Sequence, residues 1–320
     1  GGECETGLCQ TPISLNSGSW DVKHVLGEVD IEADGSCSFA VPAHAPVYFQ
    51  VLDAKGYTIQ SMRSWSTLQN GERLSCIGCH ENKTDAGAQA APQITTLALS
   101  KPVQKLQPFA GKEHPLVGRL ASQSWLDSVE NYLGVNAPRS LDADAPVDGF
   151  SYVQEIQPIF DRHCVSCHNG SRIEETKISL TGEAARPESV HLIGAGQVDP
   201  KRAYTQSYVA VTTSGDPDKN PWMQWLKPRS RAVMLPPYHT GASKSRIMDY
   251  LEPAHYDVQV GENEKRTFAC WLDLLVPFCG SYTQHNTWTD AEKAEYGYFQ
   301  EKRRVYAAAE LESLRRSLSY

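Results

Sequence analysis

Two Cys-x-x-Cys-His motifs are the residues of this chain with the clearest chemistry. They consist of Cys76, Cys79 and His80, and of Cys164, Cys167 and His168. Two cysteines three positions apart reach the two vinyl groups of one haem, and the histidine that follows offers its imidazole to the iron. The motifs therefore predict two covalently bound haem c groups, with the two motif histidines as proximal ligands of the haem iron.

Zinc is the main alternative for the same four cysteines, because two Cys-x-x-Cys halves resemble a zinc ribbon. The halves of a ribbon are usually separated by about 15–20 residues. Cys79 and Cys164 lie much farther apart than that. Zinc also gives no reason for a histidine after each pair, so the pattern favours haem.

A six-coordinate haem needs a distal ligand on the face opposite its proximal histidine. For the second haem the chain offers Met234, in a Met-Leu-Pro-Pro run, and the histidines His239 and His255. Two imidazoles lower the reduction potential relative to a histidine and methionine pair. The alternative for His255 is a loop histidine that is bonded to backbone.

For the first haem, the candidate distal ligands are His114, His44 and His24. His163, directly before the second motif, is a further candidate and would bring the two haems close together. The alternative for His163 is that it packs or hydrogen-bonds a haem propionate.

The composition of the chain limits the classes of partner and the cellular compartments that we expect for it. The net charge is -8 over 320 residues, which argues against nucleic acid as a partner. No stretch approaches the ~20 apolar residues of a transmembrane segment. Because covalent haem is attached outside the cytoplasm, we expect a periplasmic, cell-surface or extracellular protein. Redox partner proteins or neighbouring haem subunits are the expected partners, including a homo-oligomer or filament of this chain.

Five cysteines remain after the haem motifs, and an oxidising compartment permits disulfides between them. The first predicted pair is Cys270 with Cys279, because the residues between them can end a helix and turn back; the second is Cys4 with Cys9. The fifth is Cys37. An odd number leaves at least one thiol free, buried or bonded to another chain.

The surrounding patterns predict an α+β protein, a small antiparallel β module followed by mainly helical, loop-rich c-type cytochrome domains. Alternating polar and apolar residues predict strands over 22–31, 36–41, 46–52 and 57–62, with turns at 34–35 and 53–56. Helices are predicted over 120–133, 152–162, 262–275 and 290–317, the last beginning with a capping box. The expected divisions are 1–70 (β module), 71–145 (first haem segment and linker), 146–285 (second haem domain) and 286–320 (C-terminal helix).

Several longer runs resemble a known family. They lie at residues 51–53, 62–65, 74–81 (LSCIGCHE), 157–168 (QPIFDRHCVSCH) and 270–280 (CWLDLLVPFCG). These runs are similar to the haem-bearing C-terminal region of proteins related to the hydrazine synthase alpha subunit. The second half also resembles planctomycete-type di-haem cytochrome c domains. The resemblance extends from about residue 22 to residue 310.

This resemblance implies two unlike haems. In the family, one unusual haem carries out nitric oxide and ammonium chemistry while a bis-histidine haem relays electrons. The catalytic haem takes a tyrosine shortly after its motif histidine. Residues 81–84 of this chain are Glu, Asn, Lys and Thr, without a tyrosine.

Two functions follow from the sequence. The first is an extracytoplasmic di-haem electron carrier, as a single protein or as a unit of a multihaem assembly. The alternative is a haem enzyme that acts on small nitrogen species, similar to hydrazine synthase, at a five-coordinate first haem. Whether the protein is an enzyme stays open at this point.

Overall fold

The structure, a computed structural model, describes most of the second half of the chain and part of the first. The described residues are 13–15, 18–19, 21–42, 45–68, 72–76, 96–114, 117, 149–176, 178–185, 203–213, 222–224, 235–285 and 288–318. They contain one small antiparallel sheet and several helices, which confirms the α+β class.

The sheet consists of strands β1 (Gln50–Leu52) and β2 (Thr58–Ser61). The helices are α1 (Tyr152–Glu155), α2 (Gln157–His163), α3 (Ile173–Thr176), α4 (Gln206–Thr213), α5 (Glu262–Asp273) and α6 (Asp290–Leu318). Short 3-10 helices lie at Leu97–Ser100, Ala242–Lys244 and Arg246–Leu251.

The predicted hairpin is confirmed. β1 and β2 pair antiparallel, with Gln50 opposite Ser61 and a bulge between Val51 and Leu52. Asp53 closes the turn, because its carboxylate accepts the backbone N–H of Tyr57 at 2.9 Å while its carbonyl accepts the N–H of Gly56 at 2.9 Å. Gly56 has φ of +81°, a conformation that glycine adopts without steric cost.

The strands predicted over 22–31 and 36–41 are wrong as continuous strands. Both segments are extended, but their ladders are reduced to single bridges, Glu28 with Gln107 and Phe39 with Gln104. The predicted turn between them is present, since the Gly35 N–H bonds the Glu32 carbonyl at 2.8 Å. The alternation therefore indicated extended backbone correctly, but its partner is an irregular segment rather than another strand.

The helix predicted over 152–162 divides into α1 and α2 at Ile156. The side chains of Tyr152, Ile156, Ile159 and Phe160 are buried, as the apolar spacing predicted. Pro158 stands in the first turn of α2, where its missing N–H costs no helical hydrogen bond. α2 ends at His163, so it delivers the second motif directly from the core.

The core is a cluster of aromatic side chains between these helices and the end of α5. The rings of Tyr152, Tyr208 and Phe278 lie with centroids 4.7–5.9 Å apart. Ile13 also belongs to this core, and its carbonyl accepts the N–H of Phe278 at 2.7 Å. The buried Trp271 donates its indole N–H to the Pro277 carbonyl at 2.9 Å.

α5 ends two residues earlier than predicted, and the disulfide predicted after it is not formed. The helix stops at Asp273, and Leu275 and Val276 take φ values of +69° and +49° that reverse the chain. Cys270 and Cys279 are both thiols rather than halves of a disulfide, and Cys279 Sγ bonds the Gln284 carbonyl at 3.4 Å. The tight turn directs the two thiols to different surroundings.

The C-terminal helix is confirmed as α6. Its predicted capping box is present: the Glu292 side chain accepts the Thr289 N–H at 3.0 Å, and the Glu292 N–H bonds Thr289 Oγ1 at 3.3 Å. Among the described helices, none is both long and apolar enough to cross a bilayer.

The helix predicted over 120–133 lies outside the described residues. The four-part division of the chain stays a prediction. Residues 45–61 and 235–285 are nevertheless in direct contact, as described below.

Candidate functional site

The second motif is held by a dense set of backbone hydrogen bonds. The Cys164 carbonyl accepts the N–H groups of both Cys167 and His168, at 3.1 and 2.9 Å, which closes one turn around the motif. The His168 carbonyl accepts the Leu180 N–H at 2.8 Å. Cys164 is half-buried and Cys167 is exposed, and both are free thiols. The turn therefore presents two thiols and one imidazole from a fixed backbone.

The His168 imidazole lies partly inside the protein. Burial lowers the pKa of His168, and the nearby His255 adds to this shift. The Ile178 carbonyl faces the ring and acts in the opposite direction, although His168 Nδ1 does not form a full hydrogen bond. A neutral imidazole, the form that ligates a metal, is favoured here.

His255 reaches the same site from the other side. Its backbone N–H bonds the Glu252 carbonyl at 2.9 Å, within a tight turn that continues into Tyr256 and Asp257, both with positive φ. The rings of Tyr250 and Tyr256 flank the imidazole, with centroids at 5.1 and 5.0 Å. The backbone turn and the neighbouring rings hold His255 in position.

The spacing of the two imidazoles is that of a bis-histidine haem. Their ring centroids are 6.3 Å apart and their planes differ by 27°. A metal–imidazole bond is about 2 Å long and the ring nitrogen lies about 1.1 Å from the centroid, so two axial histidines on one iron have centroids about 6.2 Å apart. Of the distal candidates for the second haem, His255 matches this spacing.

The other candidates for this position differ. His239 is exposed, in the loop that follows Leu235. Met234 lies outside the described residues. Of the two candidates that the structure describes, it brings His255 close to the motif histidine.

Only the beginning of the first motif lies among the described residues. Cys76 is an exposed free thiol. Cys79, His80 and the candidate ligand His44 lie outside the described residues. The zinc alternative depends on Cys79 and is untested for the same reason.

Two candidate ligands of the first haem are bonded to each other. His24 Nδ1 and His114 Nε2 lie 3.1 Å apart, and the rings meet edge to face with centroids at 5.2 Å. His114 is buried, with 8% of its surface exposed, whereas His24 is exposed. The sequence proposed the two histidines separately and did not indicate that they pair.

His163 also has a partner. Its Nε2 lies 3.0 Å from Glu264 Oε2 on α5, and Arg162 Nε bonds the other oxygen of the same carboxylate at 3.0 Å. Glu264 additionally accepts the Gly261 N–H at 3.0 Å, in the capping box of α5. The partner of His163 is therefore a carboxylate of the chain itself, and its predicted contact with a haem propionate stays a prediction.

A partly buried carboxylate, which the sequence patterns did not indicate, joins the hairpin to the helical part. Asp273 Oδ2 accepts the Thr58 N–H at 3.0 Å, and Oδ1 accepts the Ala242 N–H at 3.0 Å. Burial raises the pKa of Asp273 to about 6, while the hydrogen bonds from Ala242 and Thr58 oppose this shift. The sequence feature that could have indicated Asp273 is its position in the last turn of α5, at the end of the apolar stripe of that helix.

The hairpin contacts the loop before the 3-10 helices as well. The Tyr238 N–H bonds the Ile59 carbonyl at 2.9 Å, and Gln60 Nε2 bonds the Leu235 carbonyl at 2.9 Å. Tyr250 was also missed as a neighbour of His255. Across the described part of the chain, no three His, Cys, Asp or Glu side chains converge in a way that would hold a metal ion by themselves.

Comparisons with known proteins agree with one family. The profile of the hydrazine synthase alpha subunit middle domain matches residues 2–81. Hydrazine synthase subunit alpha of Kuenenia stuttgartiensis is 26% identical over 180 residues, which cover 49% of this chain and 21% of that protein. The matched segment therefore spans about a fifth of the relative. No solved structure matches the chain significantly.

Proposed function

We propose that this chain is a haem c redox protein that acts on small nitrogen species at the first motif and uses the second motif for electron transfer. The observation that carries the proposal is the match to the hydrazine synthase alpha middle domain over residues 2–81, a segment that contains the first motif. The similarity to hydrazine synthase subunit alpha over 180 residues supports the same direction.

For the second site, we assign Cys164 and Cys167 to covalent attachment and His168 and His255 to the two axial positions. A haem c bound there supplies a one-electron redox couple. The protein's part is to fix both imidazoles: the backbone turn at Cys164 holds His168, and the rings of Tyr250 and Tyr256 flank His255. Ligands held in advance reorganise little when the charge of a site changes, which favours electron transfer.

For the first site, we assign Cys76 and Cys79 to attachment and His80 to the proximal position. Three of the four histidines considered as its distal ligands have side-chain partners, since His24 bonds His114 and His163 bonds Glu264. The fourth, His44, lies outside the described residues. The proposal of an open face at the first haem therefore depends on the family match over residues 2–81.

The test is the reaction of the reduced, haem-loaded protein with carbon monoxide and nitric oxide, followed by its absorption spectrum. We expect one of the two haems to bind ligand promptly and the other to stay six-coordinate. In His255→Ala we expect the second haem to bind carbon monoxide too, because its distal ligand is gone. The matched control is His239→Ala, an exposed histidine of the same part of the chain, which should behave like the unaltered protein.

Outcomes against the proposal are distinct. If neither haem binds carbon monoxide or nitric oxide, the reactive first site is refuted. If His255→Ala leaves the spectrum unchanged while His239→Ala alters it, the assignment of His255 is refuted. Reoxidation of the reduced protein by nitric oxide or hydroxylamine, followed by stopped flow, then tests reactivity directly.

A di-haem electron carrier is the second candidate. It is favoured by the absence of a tyrosine at residues 81–84, where the family resemblance implies an iron ligand, and by the bis-histidine spacing of His168 and His255. A carrier predicts two ligand-inert haems in the carbon monoxide experiment. The two functions are therefore separated by one measurement.

The proposal includes a compartment and partners. Covalent haem attachment argues for a periplasmic, cell-surface or extracellular location. Redox proteins or neighbouring haem subunits would supply or remove electrons. The relative's name identifies it as one subunit of a larger enzyme, which is compatible with such neighbours.

A further inference from the structure

The C-terminal helix α6 carries a stripe of large apolar side chains in contact with solvent. The stripe consists of Tyr298, Phe299, Val305 and Tyr306, which are 62, 56, 52 and 67% exposed. All described side chains from Glu301 to Arg316 are exposed as well. Exposed apolar patches of this kind mark interaction sites more often than chance.

The four residues share one face of the helix. Their spacing of 1, 6 and 1 residues keeps them within about 60° of the direction of Lys302 at 100° per residue. They are also symmetric about Lys302, because Tyr298 and Tyr306 lie four residues from it and Phe299 and Val305 lie three. A two-fold axis at Lys302 would therefore set Tyr298 beside Val305 of an antiparallel copy on one flank of the interface, and Phe299 beside Tyr306 on the other.

The charges of α6 are distributed unevenly along the helix, in a way that suits an antiparallel pair. Residues 290–301 carry four acidic side chains and one basic side chain, whereas residues 302–318 carry five basic and two acidic ones. In an antiparallel pair the acidic half of each helix faces the basic half of the other. A parallel pair would set like against like, which is unfavourable.

We propose that α6 pairs antiparallel with α6 of a second copy of this chain, through the stripe around Lys302. The interface is isologous, with the same patch on both copies, as two-fold symmetry requires. The exposed parts of the four side chains come to roughly 400 Å² per copy, so the stripe alone buries about 800 Å². Flanking residues bring the interface near the ~1,000 Å² of a weak specific dimer.

Lys302 lies at the centre of this interface without blocking it. Its aliphatic stem covers apolar surface while the ammonium group reaches the rim. The helix, about 43 Å long, extends well beyond the stripe in both directions.

The test uses charge substitutions that distinguish the two orientations. We expect sedimentation equilibrium of the haem-loaded chain to give a dimer with a dissociation constant in the micromolar range. Tyr298→Lys and Val305→Glu should each weaken dimerisation at least tenfold. The double variant should recover it, because Lys at 298 then lies beside Glu at 305 of the other copy, twice in each dimer.

The controls keep the result specific. Both substituted side chains are exposed, and circular dichroism should report unchanged helix content in every variant. Lys293→Glu, on the opposite face of the same helix, should leave the dissociation constant within about twofold. A chain that is monomeric at all concentrations overturns the proposal, and so does a double variant weaker than both single variants, because that result indicates parallel pairing. A failed dimer leaves the proposed haem function unaffected.

Discussion

The carboxylate of Asp273 provides a stability prediction that depends on pH. It accepts backbone N–H groups from the hairpin and from the loop at Ala242, and it is largely removed from water. Its pKa of about 6 in the folded protein lies above the ordinary value of 3.8. Between these values the folded chain holds a proton that the unfolded chain has released.

The sign and size of the effect follow from that difference. Because the folded state binds the proton more tightly, the contribution of Asp273 to the free energy of unfolding is greatest at low pH and falls as pH rises through about 4 to 6. From pH 4.5 to pH 7.5 the loss is about 2 kcal/mol, on the usual scale of about 1.4 kcal/mol per pKa unit. Asp273→Asn removes this titration but keeps the side-chain shape.

The assay is chemical denaturation of the unaltered protein and of Asp273→Asn at pH 4.5 and pH 7.5. Loss of one good acceptor makes the variant less stable by about 1–2 kcal/mol at low pH. At pH 7.5 we expect the stability of the variant relative to the unaltered protein to be higher by about 2 kcal/mol than at pH 4.5, so the deficit shrinks or reverses. A deficit of the same size at both pH values would refute the argument that Asp273 titrates above its ordinary range.

Two further predictions concern the same contact region. A methyl group at Gly241, where φ is +82°, would lie 1.8 Å from the carboxylate described above, whereas one at Gly35, where φ is +81°, would meet nothing within 4 Å. Gly241→Ala should therefore lower the stability by about 2–4 kcal/mol, whereas Gly35→Ala should lower it by about 1 kcal/mol. Equal losses of stability in thermal unfolding would contradict this prediction. Arg266 bonds both carboxylate oxygens of Glu28, at 2.6 and 2.8 Å, with both side chains largely covered. Arg266→Met should lower the free energy of unfolding by about 1–2 kcal/mol. Lys293→Met, at an exposed ion pair, should lower it by less than about 0.5 kcal/mol. The reverse order in chemical denaturation would show that the partly buried pair contributes little.

Local signals were sufficient wherever a few neighbouring residues decide the structure. The hairpin follows from Asp53 and Gly56, which close the turn by their own hydrogen bonds. The start of α6 follows from Thr289 and Glu292, which satisfy each other's backbone groups. In both cases the energetic reason lies within four residues of sequence, so the pattern alone could reveal it.

Long-range partners set the limit of the sequence analysis. Whether residues 22–31 form a strand depends on residues 104–107, which offer single bridges instead of a ladder. The distance between Cys270 and Cys279 depends on the reversal at Leu275, which no propensity predicts for a leucine at positive φ.

The candidate site also contains residues that local spacing predicts and residues that only the tertiary structure brings together. Cys164, Cys167 and His168 were predicted as haem-site residues from their spacing, which is the spacing that covalent haem attachment requires. The choice between His239 and His255 was not evident, since it depends on how a loop folds across many residues. The ring spacing of 6.3 Å between His168 and His255 is a tertiary property and needed coordinates.

The bond between the Ile13 carbonyl and Phe278 N–H has a consequence for the order of events in folding. The two residues are 265 positions apart, counted from 13 to 278, so this contact is among the least local a chain of 320 residues can make. Such contacts form late, because they require the closure of a very long loop. Both Cys-x-x-Cys-His motifs lie inside that loop, and the whole loop must be synthesised before the core can close. In the proposed haem protein, attachment of haem to the four thiols would therefore precede closure of the core, so the contact between residues 13 and 278 would set the end of the period in which haem can be attached.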